Sequence, residues 1–382
     1  MEKSNNSEEV THHFTLSLTH NCQFRCNYCY AGRKIEKVMT TETINKSIEF
    51  LFKDETIKKL EYGFFGGEPL LEWEKIKYAT EKIEKIAKEK NIKVNRTITT
   101  NGALLTEEKV KWLHDNLFYM VVSLDGNKAM HNTHRKFCDG TGTYKEVING
   151  LKNLQKYYKN KEYSINIVIT PQNVEYLSDS VKEIYLELGV EDIGLSSDLY
   201  SNWDDYALTW EREYKKLGDF FLEMYRSDRF IKMSFIDDKI ATGIKGAYDP
   251  CKTCTFGENE VIVAPSGNLY PCERLIGDDN DENMIIGNVY TGYDFKKKFN
   301  LLNLRGNTNE ECDTCELKPR CMNFCGCTNY TMTKSINKTN GTLCFHEKMS
   351  IKIADNISNQ LFKEKNPLFM KEFYEDDSYY EE

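Results

Sequence analysis

Three cysteines lie within eight residues near the start of the chain, in the segment Cys22-Gln-Phe-Arg-Cys26-Asn-Tyr-Cys29. Three thiolates on one short loop can bind three irons of a four-iron cluster and leave the fourth iron without a protein ligand. An open coordination position is typical of a catalytic metal site and not of a structural one. The alternatives are a zinc site completed by His20 and buried inert thiols, but inert cysteines have no reason to recur at such close spacing.

A second group of nine cysteines occupies positions 251 to 344. Its members are Cys251, Cys254, Cys272, Cys312, Cys315, Cys321, Cys325, Cys327 and Cys344. Two CxxC pairs alone would suggest zinc ribbons, yet nine thiols exceed the eight that two tetrahedral all-thiolate sites use. The one remaining cysteine is Cys138, for which an inert thiol is the simpler interpretation and a role facing the substrate is the alternative.

Three polar, glycine-containing segments come next to apolar runs in the first half of the chain. They are Gly66–Pro69, Thr99–Gly102 and Ser123–Gly126. Glycine permits close approach of the backbone to a ligand, and proline helps to shape a turn. Each segment follows a run of residues that predicts a strand, so these segments are candidates for binding loops.

The elements that position these segments can be predicted from the hydrophobic pattern before residue 245. Strands are predicted at Phe14–Leu18, Leu60–Phe65, Val94–Thr99, Tyr119–Leu124, Ile165–Thr170 and Asp192–Leu195. Helical spacing of apolar residues occurs within 44–51, 76–86, 174–188 and 210–224. Strand–helix repeats predict a parallel sheet, either doubly wound or an incomplete barrel, with the reactive groups at the C-terminal ends of its strands.

Composition excludes several classes of protein. The chain has 382 residues, is 40% hydrophobic and 29% charged, and carries a net charge of −9, which is ordinary for a globular protein. The six acidic residues from Glu372 onward predict a solvated tail. The chain has no stripe of basic residues of the kind that binds a phosphate backbone, so we expect no nucleic acid partner. Because no apolar run of about 18 residues exists, we expect no membrane span. The N-terminal residues lack the apolar core of a signal peptide, so we expect a cytoplasmic protein with thiols used for metal or redox chemistry.

The first cysteine loop resembles the CxxxCxxC signature of radical S-adenosylmethionine (SAM) enzymes, which has an aromatic residue before the last cysteine, here Tyr28. The resemblance implies a partial (β/α)6 TIM barrel. It also implies a [4Fe–4S] cluster bound by Cys22, Cys26 and Cys29, whose open iron chelates SAM. One-electron reduction would then yield a 5′-deoxyadenosyl radical that abstracts hydrogen from the substrate.

Later residues extend this resemblance to the cofactor site. Gly66-Gly67-Glu68-Pro69 resembles the family's GGEP segment, whose backbone and glutamate hold the ammonium group of SAM. Thr99 and Ser123 lie where the family places hydroxyls near the ribose or methionine part of SAM. Arg135 matches a family arginine near the SAM carboxylate, which a guanidinium can bind in bidentate fashion.

The second cysteine group resembles the SPASM module, which holds two auxiliary [4Fe–4S] clusters and would bring the total to three. The resemblance assigns Cys251, Cys254, Cys272 and Cys325 to one cluster and Cys312, Cys315, Cys321 and Cys344 to the other. Cys327 departs from the pattern and competes with Cys325 for one ligand position. Glu273 follows Cys272 where sulfatase-maturating members carry a catalytic aspartate, so it is a candidate base, with an ion pair to Arg274 as the alternative.

These observations predict four regions and one leading function. The regions are a flexible N-terminus over 1–12, a radical SAM partial barrel over 13–245, a SPASM module over 246–350, and a C-terminal helix with an acidic tail over 351–382. No N-terminal leader-binding domain is expected. SPASM members act mostly on peptides or proteins with an electron donor such as flavodoxin or ferredoxin. We therefore predict a maturase that installs a thioether or carbon–carbon crosslink in a ribosomally made peptide. The alternatives are an anaerobic sulfatase-maturating enzyme, which makes formylglycine, and a non-catalytic zinc-stabilised interaction protein.

Overall fold

A computed structural model describes residues 10–248, 254, 256–304 and 309–375 of the chain. One sheet of eleven strands organises these residues, in the order β11-β10-β9-β8-β1-β2-β3-β4-β5-β6-β7. The first seven strands are β1 (Thr11–Ser17), β2 (Lys59–Phe65), β3 (Lys93–Thr100), β4 (Phe118–Ser123), β5 (Tyr163–Ile169), β6 (Asp192–Ser197) and β7 (Lys232–Met233). The last four are β8 (Glu260–Val263), β9 (Asn268–Tyr270), β10 (Gly287–Asn288) and β11 (Gly292–Tyr293).

Strands β1 to β7 are all parallel to their neighbours, as in an incomplete barrel. At the other edge, β8 pairs in parallel with β1, and β9, β10 and β11 continue the sheet in antiparallel fashion. The cysteine-rich region therefore extends the barrel sheet itself. The parallel sheet confirms the predicted α/β partial barrel, and all six predicted strands are present, with ends that differ by at most a few residues.

Thirteen α-helices occur in the part of the chain that the structure describes. Those of the barrel are α1 (Thr41–Leu51), α2 (Trp73–Glu89), α3 (Glu107–Asp115), α4 (Lys128–His134), α5 (Tyr144–Leu154), α6 (Leu177–Leu186), α7 (Ala207–Arg226) and α8 (Ser234–Lys245). The remaining helices are α9 (Phe295–Asn303), α10 (Glu310–Asp313), α11 (Gly326–Thr333), α12 (Gly341–Lys363) and α13 (Pro367–Met370). None of the helices in the described residues is long and apolar enough to cross a membrane.

The sequence pattern explains how the strands present a polar interior. Along β5, Tyr163, Ile165, Ile167 and Ile169 are buried, whereas Ser164, Asn166 and Val168 are only half-buried. Because successive side chains of a strand point to opposite faces, one face packs against helices and the other faces the inside of the barrel. This alternation places Asn166 and Val168 toward the centre.

Two features at the C-terminal end differ from the simple sequence pattern. The helix that the sequence predicts over 351–362 is part of α12, which begins at Gly341 and includes Cys344. The prediction that every acidic residue from Glu372 onward is solvated is wrong for Glu372 itself. That residue is buried, and its carboxylate lies 3.6 Å from Lys161 Nζ, because the π-helical turn Lys371–Glu375 packs onto the protein.

Candidate active site

A large cavity opens at the C-terminal ends of β1 to β6, with about 1010 Å³ of empty space including its mouth. Its lining includes side chains from the loop after β1 and from the ends of the five following strands. This is the edge of a parallel sheet at which ligands of α/β proteins bind. The predicted binding segments therefore meet in one place.

Cys22, Cys26 and Cys29 all line this cavity, and none of them is in a disulfide. Cys22 is buried, and its Sγ accepts hydrogen bonds from Phe24 N at 3.3 Å and from Asn101 Nδ2 at 3.5 Å. Burial raises the pKa of Cys22 to about 11 and that of Cys26 to about 12, so metal binding would release protons from them. Three thiols that line one cavity supply one ligand each for three irons of a four-iron cluster, and the fourth iron would then be open to another ligand.

His20, the alternative fourth ligand of a zinc site, lies elsewhere. It is 2% exposed and lines a second, smaller cavity with Ser17, Thr19 and Glu273. Its Nε2 is buried without a hydrogen-bond partner among the described residues. The structure therefore does not bring His20 into the cavity that the three cysteines line.

The two glycines of the GGEP segment pack against the residues that precede Cys22. Gly67 N donates to Thr19 O at 2.7 Å, and Glu68 N donates to Asn21 O at 2.9 Å. A Cβ atom on Gly67 would lie only 2.2 Å from Asn21 O, so a side chain at this position would displace the backbone next to the cysteine loop. Both Gly66 and Gly67 line the cavity.

Glu68 is not among the residues that line the cavity, and its side chain joins the ends of β2 and β3. Its fully buried carboxylate accepts hydrogen bonds from Leu70 N at 3.0 Å, Thr100 Oγ1 at 2.8 Å and Asn101 N at 2.8 Å. Burial raises the pKa of Glu68, and these three donors oppose that effect. Pro69 opens the short 3₁₀ helix Pro69–Glu72. The contact between the Glu68 carboxylate and SAM, implied by the family resemblance, stays a prediction, because both of its oxygens are engaged within the chain.

Asp125 holds Tyr28 of the cysteine loop and Arg135 in place, although the sequence alone did not single it out. Its Oδ2 lies 3.0 Å from Arg135 Nε and accepts a short hydrogen bond from the Tyr28 hydroxyl. Its Oδ1 accepts from Val168 N at 2.9 Å. The Tyr28 ring also lies 5.5 Å from the Arg135 guanidinium. This buried network fixes Tyr28 and Arg135, both of which line the cavity.

The remaining predicted cofactor residues and several unpredicted ones share the same walls. Thr99 and Ser123 line the cavity, as expected for hydroxyls near a bound cofactor. Asn101 belongs to the predicted segment Thr99–Gly102. The polar lining residues that sequence reasoning missed are Tyr30, Lys34, Asn166, Ser196, Ser197, Asp198, Tyr200 and Arg274. Polar residues at the ends of β5 and β6 were the available signal for Asn166 and the residues from Ser196 to Asp198.

The cysteine-rich region supplies one wall through Arg274 and not through Glu273. Arg274 lines the large cavity, and its guanidinium lies 5.5 Å from the centre of the Tyr30 ring. Glu273 lines the smaller cavity, and its Oε2 lies 3.8 Å from Cys272 Sγ. The two cavities adjoin, because Ala31, Phe65 and Gly66 line both of them. The role of Glu273 as a base stays a prediction.

Some of the predicted auxiliary cysteines lie close to one another in two places. In one, Cys325 Sγ lies 3.5 Å from Cys327 Sγ, Cys272 shares a hydrogen bond with Cys327, and Cys254 interacts electrostatically with Cys325. In the other, Cys312 interacts electrostatically with Cys344 and Cys315. Cys321 instead has Glu347 and Lys239 as its charged neighbours.

Two further observations concern metal binding by these cysteines. Cys251, the remaining predicted ligand, lies outside the described residues. Among the described residues, no group of three or more His, Cys, Asp or Glu side chains converges to hold a single metal ion. The assignment of ligands to the two auxiliary clusters stays a prediction.

Comparison with known proteins identifies the family. A family model described as the radical SAM superfamily matches residues 16–184. The serine-type anaerobic sulfatase-maturating enzyme of Bacteroides thetaiotaomicron is 30% identical over 308 residues, which cover 71% of this chain and 70% of that protein. The chain belongs to the radical SAM superfamily and is an enzyme. Membership implies a [4Fe–4S] cluster and SAM as cofactors.

Two further relatives and two solved structures are similar over most of the chain. The cysteine-type anaerobic sulfatase-maturating enzyme of Clostridium perfringens is 24% identical, covering 80% of this chain and 85% of that protein. The radical SAM cyclopropyl synthase TigE of Paramaledivibacter caminithermalis is 24% identical over an alignment that covers 93% of this chain and 74% of that protein. The structure of native anSMEcpe with bound AdoMet has a TM-score of 0.76 at 22% identity, and the match covers 92% of this chain and 100% of that one. The structure of Streptococcus suis SuiB bound to the precursor peptide SuiA has a TM-score of 0.59 at 17% identity, and the match covers 88% of this chain and 76% of that one. Both structures share the fold of this chain.

Proposed function

We propose that this radical SAM enzyme installs a thioether or carbon–carbon crosslink in a ribosomally made peptide. The observation that carries the proposal is the shared cavity, which is lined by Cys22, Cys26 and Cys29 on the barrel side and by Arg274 of the cysteine-rich region. A substrate in this cavity would contact both regions of the chain. The cavity is open at its mouth, so a peptide could enter it from solvent.

The cofactors would supply the hydrogen-abstracting radical, and the residues of this chain would position them. Cys22, Cys26 and Cys29 would hold the cluster, with Asn101 Nδ2 donating to the Cys22 sulfur. Arg135, held by Asp125 on its Nε side, would present its other nitrogens to a carboxylate. Thr99 and Ser123 would donate or accept hydrogen bonds at the cavity wall. The enclosed walls would exclude water from the reacting atoms.

Similar proteins support a peptide as the substrate. Solved structures that share this fold include anSMEcpe with bound AdoMet and a peptide, and SuiB with its precursor peptide. Sulfatase-maturating enzymes and TigE are also among the relatives of this chain. These relationships favour a peptide or protein substrate over a small metabolite.

The presence of Glu273 where the sulfatase-maturating enzymes carry an aspartate favours crosslinking over formylglycine formation. By the family resemblance, sulfatase-maturating enzymes use an acidic residue at this place as a base toward the substrate. In this chain Glu273 lines the smaller cavity, whereas Arg274 lines the large one. Sulfatase maturation is the second candidate, and the identity of 30% to a serine-type maturase favours it.

We further propose that the cysteine-rich region is a SPASM module with two auxiliary [4Fe–4S] clusters. The grouping of Cys254 with Cys272 and Cys325, and of Cys312 with Cys315 and Cys344, supports this arrangement. The reconstituted protein should then contain roughly twelve irons, from three four-iron clusters. An electron donor such as flavodoxin or ferredoxin would reduce the enzyme.

The deciding experiment compares two kinds of peptide under anaerobic conditions. Reconstituted enzyme, SAM and reductant are incubated with a peptide encoded beside the gene, and separately with sulfatase peptides that carry Cys or Ser at the target position. A crosslink removes two hydrogens, adds no carbonyl and leaves a product that resists trapping. Formylglycine is an aldehyde, which a hydrazide reagent labels.

Two control variants show whether product formation depends on the three cysteines of the large cavity. The C22A/C26A/C29A variant should produce neither product, whereas Cys138→Ala, which changes an exposed cysteine outside the three predicted clusters, should behave as wild type. A trapped aldehyde on the sulfatase peptide, with no change in the neighbouring peptide, would replace the crosslinking proposal by the second candidate.

A further inference from the structure

We infer that Arg274 forms an anion subsite that binds a carboxylate of the peptide substrate. The inference rests on the proposed function, because it concerns the same cavity and a peptide ligand. It assigns substrate recognition to a residue of the cysteine-rich region that the sequence presented only as a partner for Glu273. The carboxylate would come either from an acidic side chain or from the C-terminus of the peptide.

The guanidinium of Arg274 is held in place by aromatic packing. It lies 5.5 Å from the centre of the Tyr30 ring, and Tyr30 stacks on Phe65 with ring centres 6.3 Å apart and planes 10° apart. An arginine fixed over an aromatic ring loses little side-chain freedom when it binds a second group. Arg274 is half-buried and lines the large cavity, so its charge is available there.

Among the residues that the structure describes, Arg274 has no carboxylate partner. Its strongest electrostatic neighbours are the hydroxyls of Tyr30 and Tyr200 and the thiols of Cys272 and Cys327. In contrast, Arg135 in the same cavity is paired with Asp125 at 3.0 Å. A fixed guanidinium without an acidic partner favours a planar anion with two oxygens, and a carboxylate matches that geometry.

A second cation without an acidic partner among the described residues lines the same cavity. Lys34 lines the cavity, and its Nζ donates to Ala31 O at 3.4 Å, next to Tyr30 in the chain. Within the described part of the chain, Lys34 also has no carboxylate partner. The charged side chains that line the cavity are Lys34, Arg135, Arg274 and Asp198, a net positive set that attracts anionic groups.

The competing explanation is that Arg274 serves only the negative charge of a cluster bound through Cys272. In that case its removal would change the reduction potential of the iron sites and leave peptide recognition unchanged. The two explanations therefore predict different readouts, and neither readout depends on turnover.

The test selects short random peptides on the reconstituted enzyme with SAM present, without reductant. Wild-type enzyme should enrich peptides that contain Asp or Glu, or a free C-terminal carboxylate if that is the bound group. For the most enriched peptide, replacing the acid by its amide, or amidating the C-terminus, should weaken binding about tenfold. Arg274→Gln should abolish that tenfold difference, and Arg274→Lys should retain part of it.

A matched control and the opposing outcomes complete the test. Arg229→Gln removes an exposed arginine that lies 5.0 Å from the Tyr185 ring, outside the cavity, and should leave the preference for acids intact. An unchanged preference in Arg274→Gln with full iron content would overturn the inference, as would a shift in reduction potential alone. If Arg274→Gln does not assemble, the same comparison is made with Arg274→Lys. Enrichment of acidic peptides that are never modified would contradict the proposed function but support the subsite.

Discussion

Lys239 Nζ lies 2.7 Å from Glu347 Oε2, and the two side chains are only 3% and 2% exposed. Lys239 belongs to α8 at the end of the barrel, and Glu347 belongs to α12. Glu347 Oε2 also accepts from Met322 N at 2.8 Å, beside Cys321. This buried pair therefore joins the barrel, the last long helix and the cysteine-rich region.

Removing the cation of this pair should destabilise the protein strongly. Lys239→Met leaves Glu347 buried without its ionic partner, which costs about 3–5 kcal/mol. Urea unfolding of the reconstituted protein measures the change. Lys128→Met, which alters an exposed lysine on α4, is the control and should change stability by less than about 0.5 kcal/mol. A loss of similar size in both variants would mean that the buried pair contributes nothing.

The same carboxylate should make stability depend on pH in the acid range. Burial tends to raise the pKa of Glu347, but His346 and Lys239 lower it from the usual 4.5 to about 2. A depressed pKa gives stability that is complete above pH 4.5 and is lost as the pH falls toward 2. The contribution is roughly 3 kcal/mol. Glu347→Gln should be less stable at pH 7, and the difference from wild type should shrink between pH 4.5 and 2. A constant difference across that range would contradict the assignment.

The glycine next to Glu68 should be essential for the cysteine loop. Gly67→Ala places a Cβ 2.2 Å from Asn21 O, so the backbone before Cys22 must move. We expect loss of about four irons and at least tenfold weaker SAM binding, measured by iron analysis and calorimetry. Gly341→Ala adds the same methyl group where nothing lies within 4 Å and should match wild type. Wild-type iron content in Gly67→Ala would show that the loop tolerates the shift.

Changing the three cysteines of the large cavity should remove one cluster only. The C22A/C26A/C29A variant should lose about four of roughly twelve irons and all cleavage of SAM. Iron and sulfide analysis under anaerobic conditions gives the count. Cleavage that survives in the variant would show that these thiols are not the ligands.

Single variants should decide between Cys325 and Cys327 as the auxiliary ligand. Both thiols are buried, and their sulfurs lie 3.5 Å apart, so position alone does not separate them. The family spacing favours Cys325, and Cys325→Ala should therefore lose about four irons while Cys327→Ala retains them. The reverse pattern would reassign the ligand to Cys327. Absorption and Mössbauer spectra of the two variants would report any change in cluster type.

The sequence by itself determined the fold class, the cysteine loop and the approximate place of the binding segments. Strand residues from Phe14 to Leu195 and the spacing of Cys22, Cys26 and Cys29 are local features, because period and spacing act over a few residues. The order of the polar segments after successive strands also predicted that they meet at one edge of the sheet. The lining of the cavity by Gly66, Thr99 and Ser123 agrees with that prediction.

Only the tertiary structure decided which neighbours face each other across the fold. The sequence does not show which of the adjacent residues Glu273 and Arg274 lines the large cavity. The short 3₁₀ turn that contains them places Arg274 there and Glu273 in the smaller cavity beside it. Asp125 meets Tyr28 across 97 positions, and Lys239 meets Glu347 across 108. Such partners depend on how the barrel and α12 pack, since buried charges require partners whose positions the local pattern does not encode.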